Sequence, residues 1–317
     1  MATPPITKVA ITGVSGRVGS HYANSLLETG KHTVTAITHA GSKGTLPAGV
    51  QVAKVDYDDE SSLVAALTGQ QVLIITLSVF VPPETHDKLV KAAVKAGVSY
   101  IVPNTHGGDI NNDRLAADSP YMRAAQNYCK QVEELGSSYI AVSCGFWYEW
   151  SLALPEQWFG FTIKDRKVTF FDDGNTKIST STWIQCGRAM AALLSLPESG
   201  ATPCLQDWKN KTLYFSSFEV SQRDMLDSLH RVLGTTDKDW EITYEPTEKR
   251  FKEGNEELAK GIFTGRAKSM YSRSFYPNGD GNFESKTVNK LFALPKEDLD
   301  EATKRTVEMV ESGWKPF

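Results

Sequence analysis

Several common features are missing from this 317-residue chain. It has only four cysteines, Cys129, Cys144, Cys186 and Cys204, with no CxxC pair and no Cys/His metal spacing, so neither a disulfide scaffold nor a metal site is expected. Charge of one sign is not in excess. The formal net charge is -4, the pI is near 5.9, and no Lys/Arg run carries interleaved aromatics, which argues against nucleic-acid binding. The longest strongly apolar stretch, 72–81, is too short to cross a bilayer as a helix. Met-Ala-Thr-Pro-Pro has no basic segment leading into an apolar core, so no leader is expected, and Asn210-Lys-Thr212 reads as a chance sequon. Repeats, heptads and low-complexity segments are absent. A soluble cytoplasmic protein is the expectation, with no membrane partner and an open oligomeric state.

What is present is a 40% hydrophobic composition, enough for a large core, and a rhythm of strands and helices. Strands are expected at 6–12, 33–38, 51–55, 72–77, 100–103 and 139–143, with helices at 17–29, 59–67, 84–96 and 121–135. Such alternation implies right-handed crossovers and an α/β, doubly wound parallel sheet of Rossmann type. After about residue 150 the rhythm breaks, which predicts a dinucleotide-binding domain at 1–150 and a smaller α+β substrate lobe at 151–317. Elements around 182–216 are expected to return to the first domain.

Gly13-Val14-Ser15-Gly16-Arg17-Val18-Gly19 sits between the first strand and the first helix. Gly13 permits the tight turn, Gly16 lets backbone approach a pyrophosphate, and Gly19 lets the helix pack on the sheet. The end of the second strand selects the dinucleotide. No Asp or Glu lies between Val34 and Val55, whereas Thr38, His39, Ser42 and Lys43 offer hydroxyls and a cation to a 2′-phosphate, so NADP(H) is favoured over NAD(H). Lys43 reads equally as a solvated loop lysine. Asp56 and Tyr57 are placed to touch adenine, although Asp56 also suits a helix-capping turn. Thr76, Leu77 and Ser78 end the fourth strand beside the ribose, and Phe80 shapes the following loop.

With the glycine loop, Lys31-His-Thr-Val-Thr-Ala-Ile-Thr-His39 and Asp172-Asp-Gly-Asn-Thr-Lys177 in view, the chain resembles the NmrA-like and isoflavone reductase-like families, atypical short-chain dehydrogenase-like proteins. The likeness is greatest to a fungal CipA-like branch, through Cys144-Gly-Phe-Trp-Tyr-Glu149 and Phe275-Tyr-Pro-Asn-Gly-Asp280. It implies either an NADPH-dependent reductase of aromatic or conjugated secondary metabolites or a regulatory NADP(H) sensor that transfers no hydride and binds a protein partner. A non-redox isomerase or cyclase using the same pocket is a third option. Two departures stand out. His39 takes the place of the Arg many relatives carry. The reductases' catalytic Lys, counted back from Tyr139, falls on Ala125.

Other residues must then supply the proton. Tyr121 lies four residues before Ala125 on the same helical face, in the slot of the Tyr of an ordinary Tyr-xxx-Lys pair. His106, in a glycine-flanked loop after the fifth strand, is a second candidate, with a structural, hydrogen-bonded role as its alternative. Lys130, about 140° around the helix from Ala125, is a third. Asn104 and Thr105 are expected at the nicotinamide ribose. Phe146, Trp147, Tyr148 and Trp150 form a stackable wall for an aromatic small-molecule substrate, with at least one of them serving the core instead.

Overall fold

The computed structural model describes residues 2–78 and 80–315. In chain order its strands are β1 (Lys8–Thr12), β2 (Thr33–His39), β3 (Gln51–Val55), β4 (Val72–Ile75), β5 (Tyr100–Val102), β6 (Ser138–Ser143), β7 (Phe146–Trp147), β8 (Phe161–Thr162), β9 (Lys167–Phe171), β10 (Ile178–Ser181), β11 (Lys211–Tyr214), β12 (Phe218–Val220) and β13 (Glu241–Glu245). The helices are α1 (Arg17–Glu28), α2 (Glu60–Leu67), α3 (Pro83–Lys95), α4 (Asp113–Asp118), α5 (Pro120–Glu134), α6 (Tyr148–Ala153), α7 (Trp183–Leu194), α8 (Gln222–Leu233), α9 (Thr247–Ala259), α10 (Thr264–Ser274) and α11 (Leu299–Glu311).

Seven strands form one parallel sheet in the order β11-β6-β5-β4-β1-β2-β3. The order reverses between β1 and β4, the switch point where open α/β sheets hold ligands. Alternate side chains explain the layering. Val9, Ile11, Val72 and Ile74 face one side, with Tyr22 and Leu26 of α1 and Met190 and Leu193 of α7. Ala10, Leu73 and Ile75 face the other, with Leu63 and Leu67 of α2 and Leu89 and Ala93 of α3. The late strand β11 pairs parallel with β6 along Lys211↔Ile140 to Tyr214↔Ser143.

Two three-stranded sheets, β12-β10-β7 and β13-β9-β8, lie beyond the large one. An aromatic core that includes Phe159, Phe161, Phe170, Phe171, Tyr271 and Phe275 holds this region. Strand β4 ends two residues earlier than expected. The Thr76 hydroxyl donates to the Thr12 carbonyl at 2.5 Å, and the Thr76 N–H donates to the Thr12 hydroxyl at 3.3 Å, which turns the chain out of the sheet. The short, wholly buried β10 (Ile-Ser-Thr-Ser) gives no alternating signal and was not expected as a strand.

Candidate active site

The glycine loop sits at the switch point, and its geometry dictates glycine. Gly13 has φ +71, and a Cβ there would lie 1.9 Å from the Thr76 carbonyl oxygen; at Gly19 it would lie 2.3 Å from the Gly13 carbonyl oxygen. Gly16 differs. Its Cβ would meet only the Gly13 carbonyl oxygen, at 3.0 Å, and would otherwise fill open space. Gly16 is also the N-cap of α1, where no side chain caps the helix and no acidic residue occupies the first turn. Val14 and Val18 turn into the core. The first N–H groups of α1 and its positive dipole end are therefore left to an anion, and this cradle fits a dinucleotide pyrophosphate.

The Arg17 side chain turns another way. Its Nη2 donates to the Lys315 carbonyl at 2.9 Å, and its guanidinium lies 4.4 Å from the Trp314 ring centroid. Only its backbone stays with the loop.

At the end of β2, Thr38 is half-buried and His39 and Lys43 are exposed. The His39 ring lies parallel to Tyr57, centroids 6.4 Å apart, and its Nδ1 accepts from the Gly41 N–H at 3.0 Å. The Ser42 N–H donates to the His39 carbonyl. A Cβ on Gly44 would come 2.5 Å from the Ser15 Cβ, so the segment carrying Ser42 and Lys43 lies against the glycine loop. Asp56 accepts from the Asp58 N–H at 2.9 Å in a tight turn, while the N-cap of α2 is Asp59.

Several residues expected to line the nicotinamide half are tied up as scaffold. The Asn104 amide group brackets Leu77, accepting from its N–H at 3.2 Å and donating to its carbonyl at 3.0 Å. The buried Thr105 hydroxyl accepts from the Val142 N–H at 2.9 Å. The Ser78 hydroxyl accepts from the Phe80 N–H at 3.3 Å, and Phe80 stacks on Phe263, centroids 5.5 Å apart.

Of the proton-donor candidates, His106 is committed elsewhere. Its Nε2–H donates to the Ile75 carbonyl at 2.9 Å and its Nδ1 accepts from the Tyr22 hydroxyl at 3.0 Å. Burial drives its pKa down to about 4. Neither ring nitrogen is open to a substrate, and the expectation of a catalytic His106 gives way to its structural alternative. Lys130 points to solvent and pairs with Glu134 at 3.5 Å, one helical turn on. Ala125 packs against Ile110, Met122, Cys129 and Ala141, so the space that would take a lysine in relatives is apolar.

Tyr121 remains. It occupies the first turn of α5, half-buried, with its hydroxyl 3.8 Å from where a Cβ of Gly107 would stand. That hydroxyl has no hydrogen-bond partner among the described residues and is not sealed from solvent. Burial pushes its pKa up to about 12; Cys144 and Tyr128 add to the rise and Arg266 opposes it. Arg266, which the sequence reading did not single out, reaches in from α10 with its guanidinium carbon 5.8 Å from the Tyr121 ring centroid.

The aromatic segment divides. Tyr148 is fully buried, with its hydroxyl 2.7 Å from that of Thr303, and belongs to the core rather than to a substrate wall. Phe146 stacks on Tyr271 at 3.8 Å and is half-buried, as are Trp147 and Trp150. The neighbouring Glu149 is buried against Arg305, 3.0 Å away, beside a recess of about 460 Å³ that His21 and Trp183 also line. Burial raises its pKa.

With this geometry in hand, comparison with known proteins gives a consistent picture. The NmrA-like family model matches residues 5–153. The oxidoreductase aprR of Aspergillus flavus is 28% identical over 301 residues, spanning 93% of this chain and 96% of that one. An isoflavone reductase structure superposes with a TM-score of 0.73 at 18% identity, over 95% of this chain and 99% of the other. AtPrR2, solved with NADP+ and (+)pinoresinol, gives 0.74 at 16% identity, again over 95% and 99%. The resemblance read from the sequence and the Rossmann-type fold both hold. Among the described residues no helix is long and apolar enough to cross a membrane.

Proposed function

We propose that this chain, NmrA-like over residues 5–153, is an NADP(H)-dependent reductase of a small aromatic or conjugated substrate, with Tyr121 as proton donor. The observation that carries the reading is the Tyr121 hydroxyl, left without a partner beside Gly107 at the carboxyl edge that also bears the glycine loop. The chemistry that a dinucleotide held there would supply is hydride transfer.

The chain's residues do the rest. The α1 N-terminus would hold the pyrophosphate through backbone N–H groups, and Lys43, with Thr38 and Ser42, would take the 2′-phosphate. Tyr121 donates its phenolic proton to the substrate oxygen or carbon on which negative charge develops. Half-buried Phe146, Trp147 and Trp150 offer flat surfaces to an aromatic ring. The fungal oxidoreductase relative and the NADP+ complex of AtPrR2 support this reading.

The apolar packing of Ala125 favours a second reading, a sensor that binds NADP(H) without turnover. One experiment separates them. NADPH consumption is followed across a panel of quinones, enones and aromatic ethers, with native protein and Tyr121→Phe. The reductase reading expects turnover that falls about 100-fold or more in Tyr121→Phe, the usual scale for loss of a general acid. Tight NADPH binding with no consumption across the panel would establish the sensor instead.

A further inference from the structure

Ordinary members of this fold keep a lysine one turn beyond the active tyrosine, and here that position is the buried Ala125. We infer that Arg266, delivered from the distant helix α10, supplies the positive charge missing at position 125 and helps Tyr121 give up its proton. This inference rests on the Tyr121 reading above and extends it.

Three observations place the charge. The guanidinium carbon stands 5.8 Å from the Tyr121 ring centroid, within the range in which a cation and an aromatic ring interact. Second, no carboxylate among the described residues pairs with it. Among the described residues the Arg266 side chain has no ion pair and no hydrogen bond, while on the adjoining α9 Glu253 and Glu257 are taken by Lys268 at 2.9 and 3.0 Å.

The third observation explains how α10 comes close enough. Helices α9 and α10 cross at Gly254 and Gly265, where a Cβ on Gly265 would lie 2.6 Å from the Gly254 carbonyl oxygen and one on Gly254 would lie 2.5 Å from the Ser269 nitrogen. Only glycine on both helices permits that approach, and Arg266 is the next residue. At the other end of α10, Arg273 joins Asp118 and Asp280, which fixes the helix against α4. Arg266 is therefore held in place by built packing at both ends of its helix.

The groups facing the Tyr121 hydroxyl are few. Burial, Cys144 at the end of β6 and Tyr128 farther along α5 all disfavour the phenolate, and Arg266 is the one neighbour that favours it. Removing that charge makes the phenol a weaker acid. Arg266 acts through Tyr121, as a positioning residue.

The test needs no substrate. Tetranitromethane nitrates tyrosine through the phenolate, so the rate at Tyr121 near pH 8, followed by peptide mass spectrometry, reports its acidity. Arg266→Met should slow nitration of Tyr121 about tenfold, the effect of a pKa rise of about one unit. Arg266→Lys, which restores the charge, should stay within about threefold of native, on the same tenfold-per-unit scale. The other tyrosines serve as internal controls and should not change. Loss of the Arg266 side chain also uncovers the phenol, which by itself would speed nitration, so a slower rate is diagnostic. A native or faster rate in Arg266→Met overturns the inference. The Tyr121→Phe assay reads the other claim separately: a native nitration rate with an inactive Tyr121→Phe removes Arg266 and keeps Tyr121, whereas slowed nitration with an active Tyr121→Phe keeps the pair and removes Tyr121 as the acid.

Discussion

The Tyr22 hydroxyl donates to Nδ1 of His106 at 3.0 Å, and because the other ring nitrogen donates to a carbonyl, this imidazole is locked neutral beneath the carboxyl edge. Protonation would break the Tyr22 contact and bury a charge. With a folded pKa near 4 against about 6.5 unfolded, the unfolded chain binds the extra proton between those values. The neutral ring's stabilisation is thus complete above about pH 6.5 and lost as pH falls through 4, on the order of 2 to 3 kcal/mol. His86, stacked on Tyr128 and held down to about 3 by burial, adds in the same direction. Urea unfolding at pH 7 and pH 4.5 should show the drop, and His106→Asn should flatten it. An equally steep drop in the variant would mean that His106 is not its source.

Glycine substitutions should separate folding from binding. Gly13→Ala forces a Cβ into the Thr76 carbonyl and a side chain into φ +71, so it should lower the melting temperature by several degrees. Gly16→Asp meets one tight contact, the Gly13 carbonyl oxygen at 3.0 Å from its Cβ, and no positive φ, so the protein should fold while a carboxylate blocks the pyrophosphate cradle. Matched melting curves for the two variants would show that the loop geometry has been misassigned.

Lys43 is exposed and has no side-chain partner among the described residues. Lys43→Ala should weaken NADPH about tenfold, the scale of one charge-assisted hydrogen bond, and leave NADH unaffected. An equal loss for both dinucleotides in fluorescence titration would move the 2′-phosphate elsewhere.

Asp280 is buried and accepts from Asn112 at 3.0 Å, Arg114 at 3.0 Å and Arg273 at 2.8 Å. Burial works against its ionisation, yet these donors outweigh it and hold the carboxyl well below the usual range. Asp280→Ala leaves the buried Arg273 with one carboxylate fewer and should cost about 3 kcal/mol in chemical denaturation. A loss under about 1 kcal/mol would show that the network does not hold α10 to α4.

Much of this was legible in the sequence because it is local. The parallel strands announce themselves as apolar runs, and Gly13, Gly16 and Gly19 fall between a strand and a helix, where the spacing has physical meaning. The missing lysine was equally visible, since Ala125 can be counted from Tyr139. What escaped depends on contacts between distant segments. Whether His106 meets a substrate or Tyr22 cannot be read from its glycine-flanked loop. Arg266 sits in a charged stretch with no motif, and its only local signal is Gly265 beside it, whose partner Gly254 lies on another helix. Glu149 and Asp280 end motifs that carry no local signal of what the two acids do. Their physical content, a buried acid paired with Arg305 and one paired with Arg114 and Arg273, appears only in three dimensions.

The most direct test is calorimetric titration of the purified protein with NADPH, alongside folded Gly16→Asp. The expected result is saturable one-to-one binding to the native protein, weaker binding of NADH, and no measurable heat with Gly16→Asp. Native protein that binds no pyridine nucleotide, or a variant that binds as tightly as native, would contradict the assignment of the glycine loop and everything built on it.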